Sequence, residues 1–109
     1  MDVFEVVAEP HRRAILDLLA GQPRPAGEIV DAFPALTQPA VSRHLRVLRE
    51  AGLVEARAAA QQRIYALKPD RLAELDAWLQ RFRHFWSDHL DALERHLATS
   101  ARHTQDEEP

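Results

Sequence analysis

The sequence predicts a mainly α-helical domain that carries a small β-hairpin and ends in a long helix. Three observations lead to this prediction. Apolar residues recur every three or four positions over residues 10–21 and 37–51, which is the period of a buried helix face. The period shortens to two over residues 53–67, as in a pair of strands. The helical period then returns after Pro69 and continues to about residue 100.

Length and composition limit the classes of protein that this chain can represent. With 109 residues, 46% of them hydrophobic, the chain is long enough for one domain, predicted at residues 1–100 with a disordered polar tail at 101–109. The absence of cysteine excludes disulfides, thiolate metal sites and cysteine nucleophiles. No apolar run approaches the roughly 20 residues of a membrane span, and no signal peptide is evident. We therefore expect a cytoplasmic protein without a membrane partner.

Two short helices are predicted at the N-terminus. Asp2 or the chain terminus can cap the first, and the second begins at Pro10 and stops at Gly21. Three basic residues, His11, Arg12 and Arg13, lie near the positive end of the second helix, where cations are unfavourable. They are expected to contact a phosphate or an acidic neighbour, or simply to be solvated.

The centre of the chain predicts a pair of helices joined by a tight turn. Residues 22–25 contain two prolines and are expected to form a rigid turn, and residues 26–33 a short helix. The next helix has Thr37 as its cap and Pro39 in its first turn, and Gly52 ends it. A short helix, a tight turn and a longer helix form the layout of a helix-turn-helix.

The longer helix has two distinct faces. Val41, Leu45 and Leu48 follow at i, i+4 and i+7, so they share the face that packs inward. Arg43 and Arg46 lie opposite that face. A solvated amphipathic helix is the ordinary interpretation of such a pattern. The arginines instead favour a helix that meets phosphates and base edges of DNA.

The alternating stretch after Gly52 predicts a two-stranded hairpin over residues 53–67. Alanine is a poor strand former and the turn has no glycine or asparagine, so a continued helix is the alternative. A hairpin placed after a recognition helix is a wing. Its polar residues are then expected to reach the DNA backbone or the minor groove, and these are Arg57, Gln61, Gln62 and Arg63.

The last predicted helix runs from Pro69 to about Ser100. Its apolar residues recur at alternating threes and fours, close to the heptad pattern of helices that pair with each other. Such a row exceeds what a small core can cover, so part of it should face a second copy of the chain, unless it only closes its own core. The dimer interface is predicted along this row at Trp78, Phe82, Phe85, Trp86, Leu90 and Leu93.

The distribution of charge is more informative than the net charge of −3. Residues 37–63 contain five arginines against two acidic residues, whereas residues 69–109 contain five arginines against nine acidic residues. The basic centre would place positive potential on one side of the molecule, as nucleic-acid binding requires.

Four segments carry a resemblance to a known family. FEVVAEPHRRAILDLLA, TQPAVSRHLRVLREAGLVEAR, RIYAL and the aromatic-rich last helix resemble the ArsR/SmtB-type winged helix-turn-helix repressors. The resemblance covers about residues 3 to 98. It implies a homodimer that binds an inverted-repeat DNA operator and represses transcription. The dimer is built on the first and last helices, which adds Phe4 of the first helix to the predicted interface. In this family an inducer, which the resemblance does not identify here, then weakens binding.

The resemblance also implies roles for individual residues. Gln38, Pro39, Ser42 and Arg43 match recognition-helix positions that face bases in the major groove, and Arg46 suits a phosphate. The wing positions are matched by Arg57 and Arg63. His44 is common at its position in the family but lies near the buried edge of the helix, so we interpret it first as a packing residue.

The best-known members of this family sense metals, and this sequence departs from them. The cysteine pair of their third helix is replaced here by GEIVDAF. Near the C-terminus Asp88 and His89 are adjacent, so they do not point the same way, and no clean four-ligand set emerges. We therefore expect no cofactor and no metal. A metal-responsive repressor that uses His84, Asp88, His89 and His96 stays as the alternative, with Glu94 as a further candidate ligand.

Two other classes of function are weaker. A winged-helix module that binds only proteins would have a neutral or acidic recognition face, and Arg43 and Arg46 oppose this. An enzyme is the least favoured, because no nucleophile–base pair or paired-carboxylate site stands out and three glycines leave little for a phosphate-binding loop.

Overall fold

The computed structural model describes the backbone of residues 1–107 and the side chains of residues 1–101. Over these residues the chain forms six α-helices, a 3-10 turn and three short strands. The helices are α1 (Val3–Ala8), α2 (Pro10–Gly21), α3 (Ala26–Ala32), α4 (Gln38–Glu50), α5 (Leu72–Gln80) and α6 (Arg83–Glu107). The strands are β1 (Arg24–Pro25), β2 (Val54–Ala59) and β3 (Gln62–Leu67), and the 3-10 turn is Pro69–Arg71. The predicted fold class, mainly α-helical with a small hairpin, is confirmed.

Side chains from α2 close the end of α1. Asp2 caps the start of α1 as predicted, since its Oδ1 accepts a 2.8 Å hydrogen bond from the backbone N–H of Glu5. At the other end, Arg12 Nε donates to the carbonyl oxygen of Val6 and Arg13 Nη1 to that of Val7, each at 2.8 Å. These carbonyls have no partner within their own helix. Arg12 and Arg13 therefore act as a C-cap between helices, a role that the sequence analysis did not consider.

The end of α4 is fixed by a glycine in the left-handed region. Gly52 has φ +77°, and the N–H of Leu53 donates to the carbonyl of Leu48 at 3.0 Å, the bond that closes a Schellman turn. Glycine takes this conformation at little cost because it has no Cβ. The prediction that Gly52 ends this helix is confirmed. Gly21, in contrast, is the last helical residue of α2 and has no positive φ.

The sheet has three strands where the sequence predicted two. β3 pairs antiparallel with β2 over six residue pairs, from Val54↔Leu67 to Ala59↔Gln62, so the hairpin is present and the helical alternative is wrong. β3 also pairs with β1 through Arg24↔Tyr65. The expectation of a simple turn at residues 22–25 is therefore wrong, since the extended backbone that proline favours places the segment on a sheet edge. The strand order is β1-β3-β2.

One core joins the helices to the base of the hairpin. The inward face of α4 is confirmed, because Val41, Leu45 and Leu48 are all buried. They share the core with Ile15, Leu16, Leu19, Ile29, Leu53, Val54 and Tyr65, and with Val3 and Val6 of α1. The first two leucines of α5, Leu72 and Leu75, pack against this core. Burial of this face holds α4 in place with its opposite face outward.

The C-terminal segment is two helices where one was predicted. The chain divides into a first unit, Met1–Leu75, and a second, Asp76–Pro109. Within the second unit the helix tightens after α5, where Arg81 N bonds Trp78 O and Phe82 N bonds Leu79 O with i to i−3 spacing. The rings of Trp78 and Phe82 meet edge to face there, with centroids 5.0 Å apart. No proline or glycine marks this break, so the sequence pattern passed over it.

α6 runs beyond the predicted end of the last helix at Ser100. It continues to Glu107, because residues 101–107 include good helix formers and no glycine or proline. The predicted disordered tail at 101–109 therefore begins within a helix, and residues 108 and 109 lie outside the described residues. Over the part of the chain that the structure describes, no helix is long and apolar enough to cross a membrane.

Candidate nucleic-acid interface

The outward face of α4 presents the side chains predicted to contact DNA. Thr37 Oγ1 accepts a 3.2 Å hydrogen bond from the N–H of Ala40, which starts the helix as predicted. Five residues are exposed on the forward half of this helix and its outer face, namely Gln38, Pro39, Ser42, Arg43 and Arg46. Because the buried face anchors the helix, these side chains are held outward by packing rather than by contacts of their own.

A groove of about 710 Å³ lies between α4, the start of α3 and the tip of the hairpin. It brings together five of the predicted DNA-binding residues, Ser42 and Arg46 from α4 and Gln61, Gln62 and Arg63 from the hairpin. It also includes Arg49 of α4, which the sequence analysis did not name as a contact. Arg49 follows Ser42 and Arg46 at i+7 and i+3, so the helical period alone could have identified it.

The groove is basic because its acidic residue already has a partner. Glu28 lines the groove, and its Oε2 lies 3.6 Å from Arg24 Nη1. The electrostatic potential of the groove is therefore positive, because of Arg46, Arg49 and Arg63. Arg24 is a second residue that the sequence analysis missed, because β1 brings it beside α3. Its Nε atom is buried and, among the described residues, has no hydrogen-bond partner.

The two wing arginines lie on opposite faces of the hairpin. Arg63 pairs with Ala58, whereas Arg57 pairs with Ile64, the neighbouring position in the register. Side chains of cross-strand partners share a face and those of successive residues alternate. Arg63 therefore lines the groove, while Arg57 is exposed on the other side. The sequence pattern of the wing does not distinguish the two arginines in this way.

The turn at the tip of the wing is strained. Ala60 has φ +57°, and within the described residues it is the one non-glycine residue with positive φ. This region favours glycine or asparagine in two-residue hairpin turns. The turn nevertheless forms, and it places Gln61 and Gln62 at the groove.

His44 lies on the inner flank of α4 and is half-buried, in agreement with its interpretation as a packing residue. Its ring stacks on His11 with centroids 5.8 Å apart, and its Nδ1 is 3.9 Å from a carboxylate oxygen of Glu9. Burial lowers the pKa of His44 below its usual value of 6.5, and the Arg12 charge adds to this, while Glu9 opposes it.

Glu9 is the centre of this small polar cluster. It caps α2 through a 2.8 Å bond from the N–H of Arg12 and accepts a second 2.8 Å bond at Oε1 from His11 Nδ1. Burial acts to raise the pKa of Glu9. The hydrogen bonds from His11 and Arg12 and the charge of His44 outweigh burial, so the net shift of the pKa is downward.

Comparison with known proteins agrees with this geometry. A helix-turn-helix domain model matches residues 7–57. The transcriptional regulator Rv2034 of Mycobacterium tuberculosis is 43% identical over 79 residues, which cover 72% of this chain and 73% of that protein. The transcriptional repressor SdpR of Bacillus subtilis is 33% identical over 81 residues, 74% of this chain and 89% of that one. A crystal structure titled as an ArsR family transcriptional regulator superimposes with a TM-score of 0.68 at 25% identity, covering 77% and 86% of the two chains.

This chain belongs to the ArsR/SmtB family of winged helix-turn-helix regulators. In this protein α3 and α4 form the helix-turn-helix of the family, and β2 and β3 form the wing. The protein is therefore a DNA-binding transcriptional regulator and not an enzyme.

The residues of the alternative, metal-responsive ArsR-type site are spread along α6. Over residues 1–101, whose side chains the structure describes, no three of these residues lie close enough together to bind one metal ion; they are His84, Asp88, His89 and His96. The His84 ring instead lies against Phe85, with centroids 3.9 Å apart. Among the described residues, three side chains that could bind a metal ion together lie at a different place in the fold, and these are Glu9, His11 and His44.

The apolar residues predicted for the dimer interface are exposed within the single chain. Phe82 and Trp86 each expose 36% of their surface and Phe85 66%, and Trp78, Leu90 and Leu93 are also exposed, as is Phe4 on α1. Leu79 and Leu97 extend the same row along α5 and α6. A group of large exposed apolar side chains usually marks an interaction surface.

Proposed function

We propose that this protein is a homodimeric repressor that binds an inverted-repeat operator through α4 and the wing. The observation that carries the proposal is the basic groove, in which Arg46 and Arg49 of α4 and Arg63 of the wing converge beside the exposed face of the recognition helix. The major groove of B-DNA is wide enough for an α-helix such as α4, and the adjacent hairpin then lies over the sugar–phosphate backbone. Repression is inferred from the relatives, of which SdpR is named a repressor.

The proposal assigns direct base contacts to the forward half of α4. Gln38, Pro39, Ser42 and Arg43 are exposed there, and Arg43 can donate two hydrogen bonds to the acceptors of one guanine. Arg46 and Arg49 lie farther along the helix and line the groove, where they would contact phosphates. Arg49 was not among the DNA contacts predicted from the sequence, and its place in the groove adds it to them.

The wing residues would contact the DNA backbone from two sides. Gln61, Gln62 and Arg63 line the groove beside α4 and would reach the backbone or the minor groove next to the half-site. Arg57 is on the other face of the hairpin, so we propose for it a separate, outer phosphate contact. Both arginines then contribute affinity without reading sequence.

The exposed row of α5 and α6 supports the homodimer. A twofold dimer presents two recognition helices, and its operator should then be an inverted repeat with half-sites about one helical turn apart. We propose that Phe82, Phe85 and Trp86 form the centre of the interface and that Phe4 of α1 contributes to it. The protein would act in the cytoplasm, where bacterial DNA is found.

The test is DNA binding to the region upstream of the gene. Fluorescence anisotropy should give specific binding to this DNA, weaker binding to a scrambled sequence, and an affinity that falls steeply with salt. The Arg46→Ala, Arg63→Ala double variant should lose most of the affinity for both DNAs. The control is the Arg83→Ala, Arg95→Ala double variant, which removes two positive charges from α6 and should bind as the wild type does. Equal binding of the Arg46→Ala, Arg63→Ala variant and the wild type would contradict the proposed interface.

A further inference from the structure

Three potential metal ligands converge where α1 joins α2 and α4 passes by. Glu9 is the N-cap of α2, His11 lies in the first turn of the same helix, and His44 lies in the middle of α4. Each offers one ligand atom, and the three atoms lie within 4.8 Å of one another. This group includes neither a residue of the basic groove nor one of the histidines of α6.

We propose that Glu9, His11 and His44 bind one divalent transition-metal ion of the zinc class. Two imidazole nitrogens and one carboxylate oxygen are a ligand set that zinc uses, with water at the fourth position. Imidazole also selects zinc, cobalt and nickel over magnesium and calcium, which prefer all-oxygen ligands. The chemistry of the three side chains therefore favours this class of ion.

The distances permit coordination after a small adjustment. Ligands at about 2.1 Å from zinc lie roughly 3.4 Å apart in a tetrahedron. His11 Nδ1 and Glu9 Oε1 are already 2.8 Å apart, and His44 Nδ1 is 3.9 Å from Glu9 Oε2. The side chain of His11 is 48% exposed, so it can rotate without disturbing the core. The ion would replace the hydrogen that His11 Nδ1 and Glu9 Oε1 share. A neutral His11 would then carry its proton on Nε2, and a doubly protonated His11 would release one proton to solvent.

The neighbouring groups leave the carboxylate available. Arg12 does not bridge Glu9 with its guanidinium, because Nε and Nη2 donate to the carbonyls of Val6 and Glu5. Arg12 bonds the Glu9 carboxylate through its backbone N–H alone, at Oε2, and this cap can persist while Oε1 binds the ion. The ion would then tie the first turn of α2 to the centre of α4.

Cobalt absorption on the metal-free full-length protein tests the site without DNA. Co²⁺ bound by this ligand set should give visible d–d bands that saturate at one ion per chain and disappear when Zn²⁺ is added in excess. His11→Ala, at an exposed position, should bind at least about tenfold more weakly. His89→Ala is the matched control, since it removes a histidine of α6 and should leave the bands unchanged. Circular dichroism establishes that both variants are folded.

Zinc-dependent thermal stability gives a second measurement. A ligand that binds only the folded state raises the Tm as its concentration increases. The wild type and His89→Ala should show this rise, whereas His11→Ala and the conservative variant Glu9→Gln should need at least about tenfold more zinc for the same rise. Saturable cobalt bands of wild-type strength in His11→Ala, or a disappearance of the bands in His89→Ala alone, would overturn the proposal. Absence of cobalt bands in the wild type would overturn it as well.

Discussion

Arg71 donates a 3.1 Å hydrogen bond from Nη1 to the carbonyl oxygen of Ala51, the residue that caps the end of α4. This bond links the 3-10 turn after the wing to the end of the recognition helix. A positive side chain is also favourable there because the C-terminus of a helix carries partial negative charge. Two residues thus fix the path of the chain from α4 into the wing. Arg71 bonds the carbonyl of Ala51 at the end of the helix, and Gly52 takes the left-handed conformation that turns the chain.

Gly52→Ala should destabilise the protein by about 1–2 kcal/mol, the cost of placing a Cβ in the left-handed region. The added Cβ would lie 3.1 Å from Arg71 Cδ, so the arginine would also have to move away from Ala51. Gly21→Ala is the matched control, because its Cβ meets nothing within 4 Å and its φ is not positive. It should be neutral or stabilising. Urea unfolding of both variants checks this, and equal decreases in stability would contradict it.

Ala60→Gly should stabilise the wing. Ala60 has φ +57°, which costs an L-residue about 1–2 kcal/mol, and the greater freedom of glycine in the unfolded chain offsets only part of the gain from relieving this strain. We expect a net increase of about 0.5–1 kcal/mol in the free energy of unfolding. Ala58→Gly, in the extended strand, should lower the free energy of unfolding by a similar amount. The prediction is wrong if both substitutions destabilise the protein in thermal denaturation.

The sequence predicted α4 closely because several local signals agree there. The Thr37 cap, the Pro39 in the first turn, the apolar face and the Gly52 stop each depend only on residues of the helix itself. The helical period that places the apolar residues on the inward face also places Arg43 and Arg46 on the outward face. The exposed side of this helix could therefore be identified before any tertiary contact was known.

The features that the sequence did not predict depend on contacts between distant residues. β1 exists only because Arg24 and Pro25 pair with β3, about forty positions later in the chain. The separation of Arg57 from Arg63 follows from the hairpin register, which one extra turn residue would reverse. The cluster of Glu9, His11 and His44 required the packing of α2 beside α4. A helical period cannot reveal any of these pairings.

Acidification below pH 6.5 should destabilise the protein through His44. Because burial lowers the pKa of His44 in the folded state, the unfolded chain binds its proton more readily. The stability that neutral His44 contributes is therefore fully present above pH 6.5 and is lost as the pH falls through the folded-state pKa. Glu9 has its pKa lowered from 4.5, so its contribution is lost in a separate, more acidic range.

Urea unfolding at a series of pH values, with EDTA present, measures this dependence on His44. His44→Gln should flatten the fall in the free energy of unfolding just below pH 6.5. His89→Gln, at an exposed position of α6, should retain the wild-type slope. An unchanged slope in His44→Gln would show that another group controls this pH range.

Truncation of the aromatic row should separate the dimer from the folded monomer. Phe82 and Trp86 are each 36% exposed in the single chain, so a partner would cover them in the dimer. Phe82→Ala or Trp86→Ala should weaken dimerisation by about 2–4 kcal/mol, as central aromatic residues of interfaces do. Sedimentation equilibrium gives the dissociation constant, and circular dichroism gives the fold of the monomer. A wild-type protein that stays monomeric at tens of micromolar would exclude the dimer and, with it, the inverted-repeat operator.

Arg43 and Arg63 should affect DNA binding in different ways. Arg43 is exposed on the forward half of α4, where a forked guanidinium can bond two acceptors of guanine. Arg43→Ala should therefore cost about 1–3 kcal/mol per half-site and relax the preference at one base position. Arg63 lines the groove from the wing, where phosphates would lie. Arg63→Ala should weaken operator and scrambled DNA alike and reduce the salt slope by about one unit for each phosphate that the side chain no longer neutralises.

Affinity against salt concentration, for both variants on both DNAs, distinguishes these roles. A twofold dimer doubles the effect of each substitution per operator, so the difference between the variants should be easy to measure. Arg57→Ala is the internal comparison, because it removes an arginine from the opposite face of the same hairpin. It should reduce the salt slope as Arg63→Ala does, if both faces reach phosphates. The assignment of bases to α4 and backbone to the wing fails if Arg43→Ala weakens both DNAs equally while Arg63→Ala changes the sequence preference.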